Sequence, residues 1–265
     1  MNGLTEWQQA EYEGQGYLLV EDALSADELD RVRRAFVEAA QVGALEDLPN
    51  QDDCFIHLVE HPNLFPIIHR ILSDDVSLRS LAAVSVDPGA AGRGWQRKVA
   101  SMLGVHHAAS NLCLQLFVCL DDTPPDGGCL AVVPASHRFK AEVPFPDITY
   151  IEEMPHYLPL RLKAGSAAVL HGNLWQARTS NRADVALRLL EYTYVHSWMR
   201  QALPELSPQA LETIYARDNL AHLFGVAAAP SYWTGKVKDY PSSDGLPQRR
   251  YSPLSSVGKG TEPNY

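Results

Sequence analysis

The sequence predicts an α+β protein that is mainly β, an antiparallel sandwich or barrel with helices packed on one face. Two observations predict it. Helical periodicity is confined to the stretches before Ser80 and after Ser207, and the short apolar runs between them follow one another with no helix in between.

The first helix is announced by Ser25-Ala26-Asp27-Glu28, a capping box in which the Ser25 hydroxyl accepts from the Glu28 amide and the Glu28 side chain reaches back. Leu29, Val32, Phe36 and Ala40 then recur at helical spacing, while Asp30, Arg31, Arg33 and Arg34 point elsewhere, so one stripe packs and the rest is solvated. A second helical stretch covers roughly 55–72, with Pro62 and Pro66 each marking a turn or a helix start. From Ser80 the pattern changes to SLAAVSV (80–86), LCLQLFVCL (112–120), CLAVVP (129–134), AAVLHG (167–172) and LRLLEYTYV (187–195). Pro, Gly and Asp clusters separate these runs, as they do strands joined by loops. A last helix is expected over 207–224, with Ser207 as cap and Pro208 at the first helical position.

With 265 residues, 46 % of them hydrophobic, the chain can bury a substantial core, and one domain over 1–265 is the expected organisation. Its core is expected at about 10–200, with a C-terminal helix and tail over 201–265. Twenty-two basic against thirty-two acidic residues give a net charge of −10, which opposes binding to nucleic acid or anionic membrane. No apolar run is long enough to span a bilayer, and Met1 to Glu6 lack the basic-then-apolar order of a secretory signal, so a cytoplasmic protein is expected. The four cysteines, Cys54, Cys113, Cys119 and Cys129, form no C-x-x-C pair, and three lie inside apolar runs; they read as reduced core residues.

Three segments carry a resemblance: GYLLVEDALSADELDRVRRAF (16–36), LDDTPPDGGCLAVVPASHR (120–138) and LKAGSAAVLHGNLWQARTSNRADVALRLLEYTY (162–194). Together they resemble the phytanoyl-CoA dioxygenase family of iron and 2-oxoglutarate oxygenases over roughly residues 10 to 200. The resemblance implies a cupin-like jelly roll, or double-stranded β-helix, whose mouth holds Fe(II) between two histidines and a carboxylate, leaving three positions for oxygen and the keto acid. It also implies an arginine on the last core strand for the far carboxylate of 2-oxoglutarate.

Carried over residue by residue, the resemblance meets three departures. The family's Trp-His-x-Asp falls on Trp95-Gln96-Arg97-Lys98, twenty-five residues before Leu120, and the second histidine falls on Gln176. Arg188, twelve residues beyond Gln176, fits the keto-acid arginine, where 2-oxoglutarate or another carboxylate is the expected ligand. Lysine offers three donors and no acceptor at neutral pH, so Lys98 cannot coordinate Fe(II) and would repel it at close range. No metal and no iron cofactor are therefore expected.

His106-His107-Ala108 imitates a His-x-Ala ligand pair, but it lies only fourteen residues before Leu120 and lacks a histidine partner at position 176. His171 and His137 read as core or hydrogen-bonding residues. Trp95 and Trp175, each beside a lost ligand position, read either as aromatic walls of a pocket or as plain packing. The segment 145–160, FPDITYIEEMPHYLPL, reads as a lid or a surface loop.

Three functional readings remain. In the first, Lys98 polarises a carbonyl or epoxide oxygen or exchanges a proton with a small-molecule substrate, Gln96 and Gln176 orient it, and the reaction is an isomerisation, cyclisation or elimination in a biosynthetic pathway. In the second, the chain is an inactive partner of an oxygenase homologue, with Tyr232, Trp233, Tyr240 and Tyr251 as its docking surface; homodimer and heterodimer both stay open. In the third, it is an Fe(II) and 2-oxoglutarate oxygenase with a rearranged metal site using His106 or His107 with His171.

Overall fold

The computed structural model describes residues 4–72, 76–99, 111–140, 143–199 and 201–226. A helix that the sequence pattern did not announce, α1 (Glu6–Gln15), comes first, closed at its start by a Thr5/Gln8 capping box and at its end by left-handed Gly16. Strand β1 (Tyr17–Val20) leads into α2 (Ala26–Gln41), where the Ser25/Glu28 capping box forms as expected and buries Leu29, Val32, Ala35, Phe36 and Ala39. The second helical stretch is divided into α3 (Asp53–His57), a single 3-10 turn over Leu58–Glu60, and α4 (Phe65–Leu72). Pro66 lies in the first turn of α4, where its missing N–H costs nothing.

Eight further strands follow: β2 (Val76–Val86), β3 (Arg93–Gln96), β4 (Cys113–Cys119), β5 (Leu130–Val133), β6 (Leu158–Leu160), β7 (Ala167–His171), β8 (Trp175–Arg178) and β9 (Leu187–His196). They build two antiparallel sheets, ordered β1-β7-β4-β9-β2 and β3-β8-β5-β6, and the α+β, mainly β architecture is a double-stranded β-helix. Helices α5 (Pro208–Tyr215) and α6 (Asp218–Leu223) complete the described chain. Ser207 accepts from the Ala210 amide as expected, but the single helix expected over 207–224 is broken at Arg217, which is extended with φ −136 and ψ 119.

Alternation along the strands sorts the side chains into two layers. On one face of the large sheet Leu114, Leu116, Val118, Val169, Leu190, Tyr192 and Tyr194 pack against Val32 and Phe36 of α2 and Ile68 of α4. Full burial of each such side chain contributes roughly 1.5–3 kcal/mol. The two buried phenols stay satisfied, because Tyr192 donates to the Phe55 carbonyl at 3.2 Å and Tyr194 to the Val59 carbonyl at 2.8 Å. On the other face Phe117, Cys119, Ala168, Leu170, Leu187 and Leu189 meet Leu130 and Val132 of the small sheet. All four cysteines are buried free thiols. Among the described residues no helix is long and apolar enough to cross a membrane.

Candidate active site

β3 and β8 are paired with Gln96 directly opposite Gln176, and Val132 of β5 lies on the other side of Gln176. Residues opposite one another across antiparallel strands share a face, so both glutamines point into the space between the sheets. Lys98 follows β3, and its Nζ lies 2.5 Å from Oε1 of Glu191 on β9. Gln115 of β4 donates from Nε2 to the same Glu191 oxygen at 2.9 Å, and Gln176 donates from Nε2 to Oε1 of Gln115.

A continuous polar chain, Lys98, Glu191, Gln115 and Gln176, thus crosses from the large sheet to the small one. Gln115 and Gln176 are 1 % and 3 % exposed, so each donor and acceptor in the chain matters. A buried amide without a partner costs about 1–3 kcal/mol. Cys113, one turn of the pleat from Gln115, has its thiol pushed up to about 12 by burial, with Lys98 acting the other way. It remains a thiol at neutral pH and is no nucleophile.

The family pattern asks this site for two imidazoles and a carboxylate around Fe(II), and the residues present do not fit it. The matched positions hold two amides and an ammonium, and the nearby carboxylate, Glu191, already accepts from Lys98 and Gln115. Among the described residues no three His, Cys, Asp or Glu side chains come together as a metal-binding group. His106 and His107 lie outside the described residues, as do Tyr232, Trp233, Tyr240 and Tyr251.

The expectation for Arg188 is corrected. Its Nε donates to Asp121 Oδ2 at 2.8 Å and its Nη2 to Asp121 Oδ1 at 2.6 Å, and its guanidinium lies 6.0 Å from the Phe36 ring of α2. That is the helix-covered face of β9, opposite in parity to Glu191. The inward positions at this end of β9 are Leu187 and Leu189. Arg188 is a structural cation holding the end of β4 to β9.

Trp95 and Trp175 are packing residues and not walls of the mouth. They sit on the outer face of the small sheet with Val133, Met154, Phe145, Ile148 and Tyr157. Trp95 donates from Nε1 to the Ile151 carbonyl at 3.3 Å and meets the Tyr157 ring edge-on, and Trp175 meets Phe139 and Phe145 in the same way. Arg97 stacks between Phe145 and Trp175, 5.0 and 5.1 Å from their ring centres, and donates to the Val143 carbonyl at 2.6 Å. The 143–157 segment is therefore a strap clamped to the back of β3 and β8, rather than a lid over the mouth.

The histidines nearest the fold's centre are structural. His171 is 4 % exposed, accepts from the Asn173 amide at 3.0 Å, and is pushed down to about 3 by burial and by His137, whose ring centre is 4.9 Å away. His137 faces the Glu13 carbonyl at 3.2 Å, at the C-terminus of α1, and burial lowers its basicity as well. A Cβ at Gly16, whose φ is +82, would lie 2.4 Å from His137 Nδ1, so only glycine closes α1 here.

Glu191 and Gln115 were not anticipated. Gln115 is the lone polar residue of the apolar run LCLQLFVCL, and Glu191 is the one carboxylate of LRLLEYTYV, which was the available signal.

Comparison with known proteins agrees with this architecture. The uncharacterized protein Rv1501 of Mycobacterium tuberculosis is 24 % identical over 212 residues, covering 71 % of this chain and 74 % of the relative, and Mb1539 of Mycobacterium bovis matches equally. HygX from Streptomyces hygroscopicus, solved with nickel and 2-oxoglutarate bound, superposes with a TM-score of 0.65 at 15 % identity, covering 75 % of this chain and 90 % of that one. The non-heme alpha-ketoglutarate-dependent carbocyclase SnoK from nogalamycin biosynthesis gives 0.61 at 18 % identity over 73 % and 84 %. The epimerase SnoN from the same biosynthesis gives 0.58 at 18 % over 85 % and 91 %. With the family model of phytanoyl-CoA dioxygenase (PhyH) matching residues 12–188, on strands and helices laid out as above, the chain belongs to the PhyH family.

Proposed function

We propose that this PhyH-family chain is a metal-independent enzyme that moves a proton on a small carbonyl compound bound between the sheets, in an isomerisation, epimerisation or ring closure. The observation that carries the reading is the 2.5 Å contact between Lys98 Nζ and Glu191 Oε1 at the centre of the fold, where the family pattern asks for a metal. A carboxylate is an acceptor and an ammonium only a donor, so the pair supplies a base and an acid in one place.

In this mechanism Glu191 accepts a proton from the carbon next to the substrate carbonyl. The electron pair left behind moves onto the carbonyl oxygen as an enolate. Lys98 and the Gln96 amide donate to that oxygen, stabilising charge that develops only in the transition state. Glu191 then returns the proton to a neighbouring carbon, or, once the planar enolate has turned over between the sheets, to the opposite face of the same carbon, so no electrons are gained or lost. Gln115 and Gln176 hold the Glu191 carboxylate in place. Positioned acid and base groups of this kind contribute typically 10²–10⁴-fold in rate. A place in small-molecule biosynthesis is part of the same proposal, in keeping with SnoK and SnoN, which come from nogalamycin biosynthesis.

The test is solvent exchange. Chelator-treated protein is incubated in D2O with a panel of cyclic ketones, hydroxyketones and 1,3-dicarbonyls, and mass spectrometry reads deuterium uptake beside the carbonyl. Uptake should proceed without metal and fall by about 100-fold or more in Lys98→Met and Glu191→Gln. Uptake unchanged in Lys98→Met, or seen only after Fe(II) and 2-oxoglutarate are added, overturns the proposal and restores an oxygenase.

A further inference from the structure

We infer that Arg178, with Arg93 across from it, is an anion-binding subsite that seats a carboxylate of the substrate beside the Lys98 and Glu191 pair. Arg178 stands two residues beyond Gln176 on the same face of β8, and its cross-strand neighbours are Leu130 on one side and Arg93 on the other. Two residues along a strand span about 6.5–7 Å, so the guanidinium lies within one small molecule's length of the amide of Gln176.

Three features mark this arginine as built for a ligand. Its Nε is buried and has no hydrogen-bond partner. Burial is the main influence reducing its basicity, Arg93 acts in the same direction, and Glu191 opposes them. Like charges directly opposite one another across two strands are destabilising, and a half-buried cation without an oxygen partner is more so. The backbone nonetheless enforces the arrangement, because a Cβ at Gly92 would fall 2.6 Å from the Arg178 carbonyl, and only glycine lets β3 approach β8 this closely beside Arg93. A planar carboxylate entering the mouth offers two oxygens to the guanidinium fork and offsets both charges. The cation expected at Arg188 is bound to Asp121 on the far face of β9, so among the inward residues of β8 and β9 the charge falls to Arg178.

The inference deepens the proton-transfer reading by giving its substrate an anionic group, and it is tested by binding alone, so either can fail without the other. Titration calorimetry on the chelator-treated full chain uses benzoate, its uncharged analogue benzamide, succinate and inorganic phosphate. Benzoate and succinate should bind saturably, with benzamide and phosphate weaker by about 10-fold or more. Arg178→Met should weaken benzoate by about 10-fold or more, Arg178→Lys should recover part of the loss, and Arg188→Met should leave affinity within about 2-fold. If Arg178→Met does not fold by circular dichroism, Arg178→Lys and Arg93→Met carry the comparison, each expected to weaken benzoate severalfold. Absence of carboxylate binding at about 10 mM, tighter binding of phosphate than of either carboxylate, equal binding of benzamide, or affinity indifferent to both arginines overturns the inference.

Discussion

Removing either member of the Lys98 and Glu191 pair should cost as much stability as removing both, or more. Breaking a fully buried ion pair from one side costs about 3–5 kcal/mol, because the remaining charge stays out of water. Here the two side chains keep 25 % and 14 % of their exposure, which scales the figure down. Lys98→Met leaves Glu191 with the Gln115 amide and, at 3.5 Å, the Thr193 hydroxyl, so about 2 kcal/mol is expected. Glu191→Leu removes the acceptor of Lys98 and of Gln115 together, and about 3 kcal/mol is expected. The double variant replaces both charges by apolar groups of similar length and should lose only about 1–2 kcal/mol. Urea unfolding of the four proteins at neutral pH closes the cycle and should give a coupling of about 3–4 kcal/mol, little changed by added salt. Additive single losses, within about 0.5 kcal/mol, refute a desolvated pair at the centre of the fold.

Arg188→Ala should lower stability by about 2 kcal/mol in the same urea assay, since it deletes a two-pronged contact to Asp121, whose side chain is 20 % exposed. No loss would return Arg188 to the surface. Acid should weaken the fold through His171. In the unfolded chain this imidazole takes up its proton near pH 6.5, whereas in the folded chain it stays neutral down to about 3. The unfolded state therefore binds more protons across that window, and stability, complete above it, declines as pH falls by up to about 1.4 kcal/mol per unit. Denaturant melts between pH 7 and 4 on wild type and His171→Asn read this directly, and equal slopes would count against the assignment.

Regular elements with strong local signals were legible in the sequence. The Ser25/Glu28 box, the Ser207 cap with Pro208, and the apolar runs that became β2, β4, β5, β7 and β9 depend on neighbours a few residues away. β3 and β8 are four residues each, with burial too uneven to show a period, and were visible only through the family resemblance. The family resemblance put Gln96 and Gln176 at the two histidine positions, but it did not fix which way their neighbours' side chains point. At Arg188 that single step of parity decides the outcome: the residue faces α2, while Glu191, three further on, faces Lys98. At Trp95 and Trp175 the same parity selects packing over a pocket wall, since each precedes an inward glutamine and itself faces out. Glu191 and Gln115 come from strands far apart in sequence, and no local spacing could have paired them.

The clamp on the reverse of β3 and β8 has a consequence for how the space between the two sheets can vary. Arg97 grips the strap from between Gln96 and Lys98, and Trp175 does so from beside Gln176, so each inward polar residue shares its backbone with an outward anchor. Exchanging residues around Phe145 or Ile151 would tilt the two strands and shift Gln96, Lys98 and Gln176 from behind, without altering a single group that faces the space between the sheets. The exterior of the small sheet is thus a remote adjustment of the interior, open to variation that keeps the inward polar residues themselves unchanged.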